Sequence, residues 1–306
     1  MTATELRSPA ASQVTTTRVA THRLTRAEDL TGQRPVSGGA ARTTRGLDLD
    51  AYSRMKHGDL RAVGQLAAPL ACALVDQVPS LVTDGPVPVL PIAYKAVRPA
   101  CWFLARAVLD VLDRERSDAG LAPGRIVRVA KGSVTTTDYA TSSAAARSAE
   151  LDRIAFRLDE DVDGTQLVVV DDVRVTGAAE ATILRALATS RPARVVLGYL
   201  AVVDGALATD PAVEARLNHG TVRSCADMAG AVERGEFALT IRFLKRLLQT
   251  DRADRAAFLA VCPPTLLHEI LDGAAATGEE FCATFAAPLA DVAEGLRSGA
   301  GAEGAR

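Results

Sequence analysis

Two adjacent aspartates, Asp171 and Asp172, follow the apolar run at residues 167–170, and a Thr-Gly step, Thr176-Gly177, comes shortly after them. Like charges at the end of a buried strand repel one another and are costly to desolvate, so the pair needs a reason. In open α/β sheets ligands bind beyond the carboxyl ends of the strands, which points both side chains toward a site. The segment 173–179 then leads into a helix N-terminus, and Gly177 permits a tight turn. Unpaired backbone N–H groups and the positive end of the helix dipole make such a turn an anion cradle, to which Thr176 adds a hydroxyl. A carboxylate pair beside a phosphate cradle suits a ligand carrying a phosphate together with hydroxyls or a metal, and a sugar phosphate fits. A Walker B strand also ends in acidic residues, but its partner GxxxxGK[ST] is absent, and no GxGxxG follows the first strand. The plainest alternative is that the two aspartates cap the turn that follows.

These residues require a sheet with an open carboxyl edge, and the chain supplies its strands. Short apolar runs at 86–92, 124–130, 166–172 and 193–203 read as strands. Helices are expected from Pro99 to about Arg114 and from about Ala178 to Thr189, with Pro99 in a first turn where its missing N–H costs nothing. Strands apolar on both faces and alternating with helices predict a mainly parallel sheet flanked by helices, an α/β fold. Leu60 to Val78 reads as a helix bent near Pro69. A flexible leader is expected over residues 1–46, which are rich in Thr, Ser, Ala and Arg without sustained periodicity. The division that follows is an N-terminal helical addition over 47–85, the core over 86–205, a C-terminal helical region over 206–297 and a tail over 298–306.

Composition narrows the function classes. The 306 residues carry a formal net charge of -2, which gives no electrostatic case for nucleic-acid binding. No apolar run approaches membrane-spanning length, and the N-terminal stretch lacks the apolar core of a secretory signal, so a cytoplasmic location is expected. Five scattered cysteines (Cys72, Cys101, Cys225, Cys262, Cys282) include no CxxC, and the histidines (His22, His57, His219, His268) form no HExxH. Neither set has the spacing of a transition-metal site.

The stretch "VVVDDVRVTGAAE" (168–180) resembles the phosphoribosyl-pyrophosphate (PRPP) loop of type I phosphoribosyltransferases. A second match lies on the first strand, where "LPIAYKAVRPA" (90–100) resembles the pyrophosphate loop of orotate phosphoribosyltransferases. There Ala96 stands where glycine is usual, and Ile92 intrudes between Pro91 and Ala93. Such loops often hold a non-proline cis peptide, which places the expectation at Ala93–Tyr94. The polar stretch after the second strand, the segment "YSRMKHGD" (52–59) and "LTIRFLKRLL" (239–248) are similar to the ComF-like phosphoribosyltransferases, so the resemblance covers roughly residues 50 to 290. It implies the type I phosphoribosyltransferase fold with N- and C-terminal helical hood additions.

The resemblance also implies Mg²⁺-dependent transfer of the 5-phosphoribosyl group from PRPP to a small-molecule acceptor. Asp171 and Asp172 would engage the ribose hydroxyls, directly or through Mg²⁺ and its waters. Val175, Thr176, Gly177, Ala178 and Ala179 would hold the 5-phosphate, with Thr176 the single hydroxyl side chain of the turn. Lys95 would neutralise pyrophosphate, with Tyr94 and Arg98 beside it, and Arg128 and Lys131 would flank a mobile lid over 132–148 that includes Asp138 and Tyr139. Tyr52, Arg54, Lys56 and His57 read either as a hood reaching over the site or as solvated charges around an Asp59 helix cap. Arg242 and Lys245 read as a solvated helix face. The acceptor is expected to be an amine or hydroxyl of a specialised metabolite, for example an aminoglycoside. The alternatives are a nucleobase, or a non-catalytic PRPP-binding regulator, and a homodimer is the expected assembly.

Overall fold

The apolar runs become the strands of one six-stranded sheet with the order β1-β6-β5-β2-β3-β4. The computed structural model describes residues 15–30, 46–83, 85–131, 156–158, 160–187, 190–210, 212–218 and 220–303. The strands are β1 (Thr15–Leu24), β2 (Pro88–Tyr94), β3 (Arg125–Lys131), β4 (Phe156–Leu158), β5 (Gln166–Arg174) and β6 (Arg194–Val203). Five of them run parallel, and only the three-residue β4 pairs antiparallel, at the far edge. The α/β fold with a mainly parallel sheet is therefore as the apolar runs predict. No helix among the described residues is long and apolar enough to cross a membrane.

Helices cover both faces. On one lie α1 (Leu49–Lys56), α2 (Leu60–Gln77) and α3 (Ala100–Asp118), packed with Val168, Val170, Val196 and Leu200 into the largest core. The other carries α4 (Ala178–Leu187), whose Ile183, Leu184 and Leu187 pack with Leu167, Val169, Leu197 and Tyr199. The alternation along β5 follows from the two-residue period of a strand. Pro99 is the N-cap of α3 rather than a residue of its first turn, and Pro69 lies inside α2.

Two expectations are corrected. The leader expected over 1–46 contains β1, which pairs with β6 along its length, from Thr15↔Arg194 to Leu24↔Val203. Its alternation of threonine, arginine and valine is that of an edge strand with one wet face, a weaker signal than the continuous runs. The peptide at Ala93–Tyr94 is not cis, since the described residues contain no cis bond. Both residues are instead carried by the ladder of β2 with β3, where Ala93 meets Val129 and Tyr94 meets Ala130.

After β6 the chain forms α5 (Val213–Asn218), α6 (Ala229–Glu233), α7 (Ile241–Gln249), α8 (Arg252–Leu259), α9 (Pro264–Thr277), α10 (Glu279–Thr284) and α11 (Ala286–Glu303). A separate apolar core begins at Val222 and is built on Phe243, Leu247, Phe258, Ile270 and Phe281. Leu207, Val213 and Leu217 belong instead to the core that holds α1 and α2, so the C-terminal packing unit starts later than residue 206.

The N- and C-terminal additions meet in a seam. Asp59 bridges Phe237, Leu60 N donates to Glu236 O (2.8 Å), and Ala238 N donates to Gly58 O (2.9 Å). Gly58 sits at φ +103°, and a Cβ there would stand 2.1 Å from Ala238 O. Gly58→Ala is therefore expected to cost more than about 1 kcal/mol and to lower the melting temperature by at least about 2–4 °C. An unchanged thermal melt would mean that the seam yields at no cost.

Candidate active site

The sheet opens between β2 and β5. These strands share two ladder pairs, Pro88↔Gln166 and Val89↔Leu167, whereas β5 stays paired with β6 as far as Arg174↔Val202. From β2 the chain adds β3 on one side and later β5 on the other. This is the topological switch point, the place where open α/β sheets receive ligands beyond their carboxyl ends.

Asp171 and Asp172 lie at that end of β5, and the strand continues through them to Arg174. Because successive side chains of a strand point to opposite faces, the pair is split. Asp172 turns toward α1 and is 6% exposed; its Oδ2 ion-pairs with the Lys56 ammonium and accepts a hydrogen bond from the Tyr52 hydroxyl at 3.1 Å. Its Oδ1 accepts from Val173 N at 2.8 Å. Asp171 Oδ1 accepts from Asp172 N at 2.9 Å.

The electrostatics follow this split. Burial, and then the charge of Asp172, push the Asp171 carboxyl up to about 7. Burial works to raise Asp172 as well, but the Lys56 charge and hydrogen bond, the Val173 N–H and the Arg242 charge hold it below the usual carboxylate range. Burial, and then the same pair, push up the thiol of Cys101, in the first turn of α3.

Tyr52 and Lys56 are four residues apart and share one face of α1, a spacing legible in the sequence, though the partner they reach was not. Asp59 caps α2 through Arg61 N (3.0 Å) and Ala62 N (3.2 Å), so "YSRMKHGD" serves both the site and a helix start. Tyr52 also lies 3.5 Å from Asn218 Oδ1. One hydroxyl proton cannot serve both neighbours, and the ionised carboxylate takes it. Turning the Asn218 amide, whose Nδ2 is buried without a partner, makes a relay from Asn218 through Tyr52 to Asp172. Arg242, expected on a solvated face, is instead near enough to Asp172 to favour its charge.

The turn into α4 has the form the sequence requires. Gly177 has φ +77°, Thr176 is exposed, and its Oγ1 accepts from Ala178 N at 3.3 Å. Val175 packs against the core, while Ala178 and Ala179 open α4. Glu180 in that first turn accepts from Arg18 (2.6 Å), Arg174 (2.9 Å) and Tyr199 (2.8 Å). This network ties β1 to the turn.

Across the crevice, Lys95 follows β2. Its Nζ donates to Thr277 O at the end of α9 (2.9 Å), and its own carbonyl accepts from Arg128 Nη2. Arg128 lies over the Tyr94 ring at 5.1 Å, so Tyr94, Lys95 and Arg128 form one group. Arg98 is turned away onto the Trp102 ring at 4.0 Å, and its carbonyl accepts from Ile241 N at 3.1 Å. Lys131 ends β3, with its side chain outside the described residues, as are the expected lid over 132–148 and its Asp138 and Tyr139.

A protein-held magnesium does not fit these side chains as they stand. Among the described residues no group of three or more His, Cys, Asp or Glu could hold a metal. Asp172 is taken by an ammonium, a hydroxyl and an amide. Magnesium demands an octahedron of oxygens, and this pair offers few.

Compared with known proteins, residues 40–281 match the model of the family described as PRTase ComF-like. No curated protein matches the chain significantly. Solved structures similar to part of it include the L. donovani hypoxanthine-guanine phosphoribosyltransferase, at 17% identity and TM-score 0.31 over 46% of this chain and 72% of that one. The corresponding enzyme of Bacillus anthracis gives 11% and 0.27 over 47% and 67%. A Trypanosoma cruzi hypoxanthine phosphoribosyltransferase gives 15% and 0.27 over 52% and 76%.

Proposed function

This chain belongs to the ComF-like phosphoribosyltransferase family, and on that premise we propose that it moves the 5-phosphoribosyl group of PRPP, taken up as its magnesium salt, to an acceptor amine or hydroxyl. One observation carries the reading: the acidic pair and the positive-φ turn into a helix N-terminus stand on one side of the switch-point crevice, and the Lys95 loop stands on the other. An anionic sugar phosphate needs that juxtaposition, and a turn cap does not.

In the reaction the anomeric C–O bond breaks and pyrophosphate departs with the electron pair. The acceptor's lone pair forms the new bond and its proton is released. Positive charge grows on the ribose, so the field of the acidic pair favours the transition state, with Asp171 on the ribose hydroxyls. Backbone N–H groups of residues 177–179 and the Thr176 hydroxyl receive the 5-phosphate. Lys95, backed by Arg128, meets the charge gathering on pyrophosphate, with Lys131 as a second cation for it. The preferred acceptor is a specialised metabolite such as an aminoglycoside, with a nucleobase as the alternative. The protein acts in the cytoplasm, as a homodimer.

A second reading, a PRPP-binding regulator without turnover, is favoured by the turn itself, where Val175, Ala178 and Ala179 leave Thr176 as the single hydroxyl. Calorimetric titration of PRPP with Mg²⁺ into the full chain tests both. Saturable binding with pyrophosphate release on adding an acceptor is the expected result. Binding without release from any acceptor leaves the regulator, and no binding to the folded chain overturns both.

A further inference from the structure

Asp172 already has a cation. The Lys56 ammonium pairs with Oδ2, the Tyr52 hydroxyl donates to the same oxygen, and Val173 N donates to Oδ1. With 6% of the residue exposed, its oxygens are committed to the protein. Lys56 is itself gripped from both additions. Thr240 Oγ1 donates to Lys56 O at 3.3 Å, and the seam from Gly58 to Leu60 binds the next residues to the segment 236–238. Arg242, two residues beyond Thr240, adds its charge from α7.

A buried carboxylate draws a cation, and an ammonium and a divalent ion compete for the same oxygens. We propose that Lys56 is the resident cation of the acidic pair: a positioning residue that fills, through Asp172, the place of a protein-bound divalent ion, so that metal enters only with the phosphorylated sugar. This deepens the transferase reading and rests on it for the identity of that sugar. It also gives the N-terminal addition a task at the donor site. Without Lys56 the Asp172 carboxylate would be left uncompensated beside Asp171, and hard oxygen ligands of that kind take Mn²⁺ or Mg²⁺.

The test uses the full chain and Mn²⁺ alone, with no PRPP, following free Mn²⁺ by electron paramagnetic resonance. Wild type is expected to retain no Mn²⁺ at the pair. Lys56→Met should gain one site at least about tenfold tighter, which disappears when Asp172→Asn is added. Lys56→Arg should behave as wild type, which a merely space-filling role for the side chain would not require. Loss of a partner to buried Asp172 is expected to lower the melting temperature of Lys56→Met, and Mn²⁺ should restore part of it while leaving wild type unmoved. Lys56→Gln, which keeps a hydrogen-bond donor, carries the same measurement where the methionine variant does not fold. Retention of Mn²⁺ by wild type in an Asp172-dependent way, or no tenfold gain in either neutral variant, overturns the assignment. Failure of wild type to bind PRPP is a separate result that removes the transferase reading and leaves the Mn²⁺ comparison standing.

Discussion

Asp171→Asn is expected to lower phosphoribosyl transfer by at least about 10²–10³-fold, the scale seen when a preorganised electrostatic partner of a transition state is removed. The substitution is nearly isosteric and keeps an oxygen for the hydrogen bond from Asp172 N, so the loss should appear in the rate with the fold intact. It also carries a signature in stability. The folded carboxyl, pushed up to about 7 by burial and then by Asp172, holds a proton that an unfolded chain has released by about pH 4. Its contribution to stability is full below about pH 4 and is lost as pH rises through about 7. Asparagine has no proton to lose, so the variant should melt at a level temperature across that window and above wild type beyond it. Unchanged turnover would remove Asp171 from the site. A wild-type melting profile no steeper than the variant's would remove the raised carboxyl.

Lys95→Ala is expected to reduce the transfer rate by about 10²-fold or more, because charge accumulates on pyrophosphate as the C–O bond breaks and Lys95 is the cation assigned to it. The structure adds a competing role, since Lys95 Nζ also donates to Thr277 O and so joins the core to α9. Losing one such hydrogen bond costs roughly 1.5–3 kcal/mol when the donor is charged. The two roles separate in kinetics. A leaving-group role lowers kcat with a modest fall in melting temperature. A normal kcat with the same fall would make Lys95 a strut between the two packing units.

The long apolar runs of β2, β5 and β6 were legible because a strand buried on both faces needs no tertiary knowledge to recognise, and β3 through the buried Val127 and Val129 that flank Arg128. β1 was not, since its polar residues alternate and its order comes from the ladder with β6, some 180 residues away. At the site the turn from Val175 to Ala179 was readable from local chemistry alone. The counter-ion of Asp172 was harder: Tyr52 and Lys56 share a helix face in any reading, but what they face is decided by how α1 packs on the sheet. Arg242 was misread for the same reason, its approach to Asp172 depending on the seam that docks α7. Arg98 offered charge at the right spacing, yet the neighbouring Trp102 ring captures it.

The seam at residues 57–60 also fixes an order of events during synthesis. The segment that grips Lys56 lies about 180 residues downstream of it, at 236–240, and β1 must likewise wait for β6. A nascent chain therefore carries both the edge strand and the Lys56 helix through about 180 further residues of synthesis before β1 can meet β6 or Lys56 can meet Thr240. Pairings so distant in sequence close slowly. Until they do, β6 keeps an unpaired edge of the kind that recruits other chains.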